Sequence, residues 1–254
     1  MELQIKHYGG LFSCCSVRLH FLVEFFNKYK QLPLILNSKG FYNMYKSNED
    51  DDITFDYFVH YDKIPITIEY TDEVKYHETY QYKNYEELNM GVLLPFIEKY
   101  FTPSDLVQGT SKLIENKYKI DYENMCVLFY RGNDKESEIK LPKYEDYLKY
   151  ADYLYNENPN LKFLIQSDET NFLKFMVNKY PNNSIIFLDE IRHINKMNTS
   201  VDKIKPEENY NYSIKYMAIT LIMSRCKYVI CNTGNCSLWI MFFRKSFNNM
   251  MQLH

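Results

Sequence analysis

The stretch Cys126–Glu138, CVLFYRGNDKESE, decides how the chain is read. An unbroken apolar run, Cys126 to Tyr130, ends abruptly in Arg131-Gly132-Asn133-Asp134-Lys135. Such a run has the length and composition of a buried strand, and the charge at its end marks a strand terminus that faces something other than core.

Outward from this stretch the pattern is regular. Strand CVLFY is followed by a helix over about 143–156, strand KFLIQ, a helix over about 170–179 and strand SIIFL. A polar loop then runs to about 212, ahead of a helix over 213–225, strand KYVIC and a helix over about 236–245. Short apolar runs alternating with helices of this length are the signature of right-handed crossovers and a doubly wound parallel sheet. Ligands of such sheets bind where the strands end and the loops begin.

The N-terminal half is more mixed. Residues 2–8 read as a strand, Gly9-Gly10 as a turn, and Val17, Leu19, Phe21, Leu22, Phe25, Phe26 and Tyr29 recur at helical spacing. LPLILN (32–37) is a second apolar run, SNEDDD (47–52) a charged loop, and ITFDYFVH (53–60) and ITIEYTDE (66–73) alternate as strands do. Two helical segments follow over about 86–101 and 104–117, the second opened by the capping sequence TPSD. The expected organisation is α/β, with an N-terminal unit over 1–105 and a C-terminal unit over 106–254.

The 254 residues are 46% hydrophobic and 25% charged with a formal net charge of −3, an ordinary globular composition that argues against wholesale nucleic-acid binding. Tyr at 25 and Phe at 17 against one Trp suggest an AT-rich coding bias, as in large viruses and protozoa. MELQIKHYGG has no long apolar core and reads as neither a secretory signal nor a membrane anchor, so the expected setting is cytoplasmic, the host cytoplasm if the chain is viral. Cys14, Cys15, Cys126, Cys226, Cys231 and Cys236 fall mostly in apolar runs without a CxxC pair, which suits buried, reduced thiols. The six histidines show no ligand spacing and read as packing or surface residues. Glu49-Asp50-Asp51-Asp52 follows YKSN rather than an apolar strand, so it reads as a solvated loop and not as a metal-holding DxD. There is no GxGxxG, GxxxxGK[ST] or GxSxG.

Three strand ends collect the candidate chemistry: Arg131 to Lys135, Ser167-Asp168-Glu169, and Asn232-Thr233-Gly234-Asn235. Singly they are an ion-paired arginine, a helix N-cap and a tight turn. Along one sheet edge they offer a guanidinium that grips a diphosphate through paired hydrogen bonds and backbone N–H groups at a helix N-terminus near Cys236.

At this point LFYRGNDKESE resembles the HxRxxDK segment of GDP-fucose-dependent fucosyltransferases, especially the α1,6 group. FLIQSDETNFLKFMVNKYP and MSRCKYVICNTGNCSLWIMFFR are similar to that group's later strand, turn and helix units, and GGLFSCCSVRL to a related glycine-containing opening. The resemblance covers about 125–245 and implies a GT-B-like pair of Rossmann-like lobes, with the acceptor on the N-terminal side and the donor on the C-terminal side. It implies that Arg131 meets the donor β-phosphate, that Asp134 and Lys135 match the DK pair, that Asp168 lies near the nucleoside, and that Thr233, Gly234, Asn235 and Cys236 lie against the phosphates. Glu138, with Glu136 as the other choice, is the candidate base for an acceptor hydroxyl. No metal or cofactor is implied beyond a nucleotide-diphosphate sugar donor. Phe129 and Gly132 depart from the family's histidine and second arginine, and the helix SIKYMAITLIMSRC lacks its acidic residue. The implied activity is therefore transfer of a sugar, foremost fucose from GDP-fucose, to a glycan or sugar hydroxyl; the alternative is an inactive glycan- or nucleotide-binding protein of the same fold.

Overall fold

In the computed structural model, which describes residues 1–69, 72–197 and 199–254, the apolar runs of the C-terminal half form one parallel sheet. Its strands, with two from the N-terminal half numbered first, are β3 (Met125–Tyr130), β4 (Lys162–Ser167), β5 (Ser184–Ile185), β6 (Tyr228–Asn232) and β7 (Met250–Leu253), in the order β5-β4-β3-β6-β7. All four pairings are parallel. The first strand of the unit is central, with its successors on one side and β6 and β7 on the other, so the order reverses between β3 and β6. At such a switch point neighbouring crossovers leave on opposite faces, and a crevice opens beyond the strand ends.

Alternation along β3 shows why its sequence is apolar throughout. Cys126, Leu128 and Tyr130 join Tyr147, Phe172 and Met176 of the helices α5 (Tyr144–Glu157) and α6 (Thr170–Lys179) on one face. Met125, Val127 and Phe129 join residues of α7 (Asn209–Arg225) and α8 (Asn235–Arg244) on the other. A strand buried on both faces has no solvent side and no need of polar alternation.

The N-terminal half is built around α1 (Leu11–Tyr29), preceded by β1 (Glu2–Lys6) and followed by β2 (Ile35–Gly40), which pair in parallel as a separate two-stranded sheet. The helices α3 (Met90–Phe101) and α4 (Asp105–Tyr118) follow, and Ser104 caps α4 by accepting from the Val107 N–H, a contact of a type that contributes about 1 kcal/mol. One apolar core runs from Ile5 through α1, α3 and α4 to α7, α8 and Met250. Within it the buried Arg18 donates to the Tyr100 carbonyl at 2.8 Å and lies over the Phe101 ring.

Three strand expectations need correction. ITFDYFVH is not a strand: Thr54–Tyr57 form the one-turn helix α2, and only Phe58 bridges, antiparallel, to Pro103. Its alternation records instead that Thr54, Tyr57 and Phe58 are buried while Phe55 and Asp56 are less so, a spacing that one helical turn followed by an extended residue also produces. ITIEYTDE forms no strand in its described residues; 70 and 71 lie outside them. SIIFL pairs only at Ser184 and Ile185, after which Phe187 turns off to pack on the Tyr118 ring. All six cysteines are buried and free, and no described helix is long and apolar enough to cross a membrane.

Candidate functional site

Beyond the switch point lies a cleft of about 530 Å³. Arg131 leaves β3 there, and the Asn232 side chain at the end of β6 grips its peptide from both sides. Asn232 Oδ1 accepts from the Arg131 N–H at 2.9 Å, and Nδ2 donates to the Arg131 carbonyl at 2.9 Å. Two adjacent strand ends are thereby locked where the sheet order reverses.

The guanidinium is held by two carboxylates. Nη2 donates to Asp134 Oδ1 at 3.1 Å, and Nε lies 3.3 Å from Asp168 Oδ2, close enough for an ion pair but out of line for a hydrogen bond. Asp168 Oδ1 accepts from the Gly132 N–H at 2.9 Å. Burial pushes the Asp168 carboxyl above the usual carboxylate range, and Arg131 and the Gly132 amide pull it part of the way back. Asp168 thus acts on the cleft through Arg131 and does not itself line it.

Gly132 is required by crowding. A Cβ there would collide with the Glu169 carboxylate and come within 2.7 Å of the Tyr130 ring. Glu169 in turn accepts from the Tyr144 hydroxyl, so a larger residue at 132, arginine included, displaces a buried set of groups. Asn133, fully buried, donates to the Asp168 carbonyl at 2.6 Å and accepts from the Met197 N–H at 3.2 Å, tying Met197 to the strand end.

The turn after Asn133 separates the two candidate bases. Glu138 lines the cleft, where its Oε2 meets Lys135 Nζ at 2.6 Å and accepts from the Tyr82 hydroxyl at 2.9 Å. Partial burial and then Glu138 push the Tyr82 phenol up to about 12, which keeps it a donor. Glu136 points elsewhere, to Lys196 at 2.8 Å beside a different pocket.

On the facing side two helix N-termini converge. Gly9 to Ser13 at the start of α1 and Gly234 to Cys236 at the start of α8 line the same cleft. The Ser16 hydroxyl donates to Asn235 Oδ1 at 2.7 Å and joins the two helices. Neither helix has an acidic residue in its first turn. Their positive dipole ends therefore meet the cleft without an acidic residue of their own, with the Leu11 N–H of α1 already donating to the Tyr45 hydroxyl at 2.9 Å. Gly234 takes φ 156°, a conformation that side chains resist, and Tyr85 secures it: the phenol accepts from the Gly234 N–H and donates to its carbonyl, both at 2.8 Å.

Of the residues singled out from sequence, Arg131, Asp134, Lys135, Glu138, Gly234, Asn235 and Cys236 line the cleft. Cys236 is buried, its thiol pushed up to about 11 by burial, and it is no nucleophile. Thr233 does not line the cleft; its hydroxyl bonds the Leu253 carbonyl at 3.3 Å and fastens β7. The cleft also draws on Gly9, Ser13, Tyr45, Gln81, Tyr82, Asp202 and Tyr216. Of these only the strand, glycine turn and helix at 2–29 left a signal in the sequence. Tyr216 lies on α7, whose helix was read without its role, and Tyr45, Gln81, Tyr82 and Asp202 come from loops and short 3₁₀ turns, which carry no periodicity.

The sequence matches no family model and no curated protein. Among solved structures, the chain is similar to NodZ alpha-1,6-fucosyltransferase soaked with GDP-fucose, at 9% identity over 61% of this chain and 47% of that one, with a TM-score of 0.41. The same enzyme co-crystallized with GDP gives 11% identity over 61% and 45%, with a TM-score of 0.38. The chain spans about half the length of the solved structures it matches.

Proposed function

We propose that the cleft binds a nucleotide-diphosphate sugar and that the protein is a glycosyltransferase, carrying a sugar, foremost fucose from GDP-fucose, to a glycan or sugar hydroxyl. The observation that carries this reading is the meeting of two helix N-termini, neither with an acidic first turn, opposite Arg131 at the switch point. The choice of donor follows the sequence resemblance of the segments around Arg131, Asp168 and Asn235.

In this reading residues 106–254 form the donor side and 1–105 the acceptor side of a GT-B-like arrangement. Glu138 takes the proton of the acceptor hydroxyl, whose oxygen attacks the anomeric carbon as the bond to the β-phosphate oxygen breaks. Arg131 and the N-terminal amides of α1 and α8 meet the charge that develops on the departing diphosphate, in place of a metal ion. Asp134, Lys135, Gly234, Asn235 and Cys236 line the donor path, and Asp168 holds Arg131 in position.

A second reading, an inactive nucleotide- or glycan-binding protein, is favoured by one observation. Arg131 is already paired with Asp134 and near Asp168, and Lys135 is paired with Glu138, so a diphosphate must compete for both cations. One experiment separates the readings: thermal shifts with GDP, UDP and dTDP, then hydrolysis of their sugar conjugates without added metal. GDP is expected to raise the melting temperature, and Arg131→Ala to weaken its binding at least about tenfold, since truncating one partner of a desolvated charge pair costs about 2–5 kcal/mol. Binding without turnover selects the second reading; no shift with any nucleotide sinks both.

A further inference from the structure

Two of the six histidines, which show no ligand spacing in the sequence, meet in space. His20, two helical turns beyond the part of α1 that lines the cleft, lies against His77 and Glu78, with ring centroids of the two histidines 4.3 Å apart. One ligand atom from each of the three lies within 4.8 Å of the others. His20 Nε2 is 3.5 Å from Glu78 Oε2 and 3.5 Å from Glu24 Oε1, one turn further along the helix. His77 Nδ1 accepts from the Thr79 N–H at 3.2 Å and meets the Thr79 hydroxyl at 2.9 Å, which holds the ring beside Glu78 and leaves Nε2 as its ligand nitrogen.

We infer that His20, His77 and Glu78, with Glu24 as fourth ligand, form a binding site for a borderline divalent cation of the Zn²⁺ class, independent of the proposed transfer chemistry. Three observations carry it. His20 Nδ1 faces the Tyr76 carbonyl at 3.4 Å, so it bears the proton, and Nε2 directs its lone pair at two carboxylates, an arrangement that calls for a cation between them. Glu78 Oε2 is buried without a hydrogen-bond partner, and among the described residues neither Glu24 nor Glu78 pairs with a lysine or arginine. Bonds of about 2.0–2.2 Å at tetrahedral angles place neighbouring ligand atoms about 3.4 Å apart, close to the 3.5 Å from His20 Nε2 to Glu78 Oε2 and to Glu24 Oε1. Imidazole and carboxylate together suit Zn²⁺ better than Mg²⁺, which prefers oxygen alone.

The site has a structural reach. His77 caps the 3₁₀ turn Glu78–Tyr82, whose last residue donates to Glu138 in the cleft, so a bound ion staples to α1 the segment that carries Tyr82. The test uses the full chain stripped with a chelator and titrated with ZnCl₂ or MgCl₂, followed by calorimetry and thermal melting. Zn²⁺ is expected to bind one to one and raise the melting temperature, with Mg²⁺ inert, and His77→Ala and Glu78→Gln each to weaken Zn²⁺ at least tenfold. Both substitutions are at partly exposed positions, and circular dichroism checks that the variants fold. Absence of Zn²⁺ binding would overturn the site, as would undiminished binding in both variants. Nucleotide binding by the cleft is measured separately and bears on neither outcome.

Discussion

Glu136 and Glu138 sit two positions apart and serve opposite sides of one turn. Glu138 faces the cleft beside Lys135 and Tyr82, while Glu136 reaches Lys196. If the cleft transfers a sugar, Glu138→Gln lowers the transfer rate by about 10²–10⁴, the usual contribution of a positioned base, with nucleotide affinity little changed. Glu136→Gln leaves both alone. Initial rates with donor and acceptor, set beside a nucleotide titration, check this, and equal loss in the two variants removes Glu138 from the role. The sequence left these glutamates unresolved because they lie in an irregular 3₁₀ turn, Asn133–Ser137 and its cap, where no strand or helix period dictates direction. Arg131 was legible because a strand end aims its residues by a rule; Gly132 was not, because the crowding by Glu169 comes from another strand end.

At the level of elements, the α8 N-terminus depends on a residue about 150 positions away. Tyr85 satisfies both the N–H and the carbonyl of Gly234, and the phenol is wholly buried. Tyr85→Phe strands the buried Gly234 N–H, while the carbonyl keeps the Leu238 N–H at 3.0 Å, and an unsatisfied buried group costs about 1–3 kcal/mol. A loss of stability of that order in urea denaturation is expected, together with weaker nucleotide binding as the turn loosens; an unchanged midpoint contradicts the role assigned to the phenol. The helices over 143–156 and 170–179 were readable to within a residue or so, because each has an apolar face set by one neighbour, the sheet. β7 was not read at all: Met250–Leu253 is four residues long and becomes a strand only because the edge of β6 is open to pair with it. ITFDYFVH misled for the converse reason, as alternation over so few residues fits a single helical turn as well as a strand.

Across the whole molecule, one core spans both halves of the chain, and the only tryptophan stands at their junction. Trp239 of α8 donates to the Ser16 hydroxyl of α1 at 3.0 Å and packs on Phe101 of α3. Urea unfolding followed by tryptophan fluorescence and by far-ultraviolet circular dichroism should therefore trace one coincident transition. An early change in fluorescence alone would mean that the halves separate first. The alternating α/β order was legible because each crossover is local, whereas the packing of α1 on α8 depends on contacts across more than two hundred residues and left no mark in any window. That seam bears on how the protein can be handled. A fragment beginning near residue 106 would expose the apolar face of α8 that α1 and α3 now cover, and bare faces of that size invite aggregation. The proposed boundary between donor and acceptor sides is thus not a place to cut: residues 106–254 need the other half of the chain to stay in solution at all.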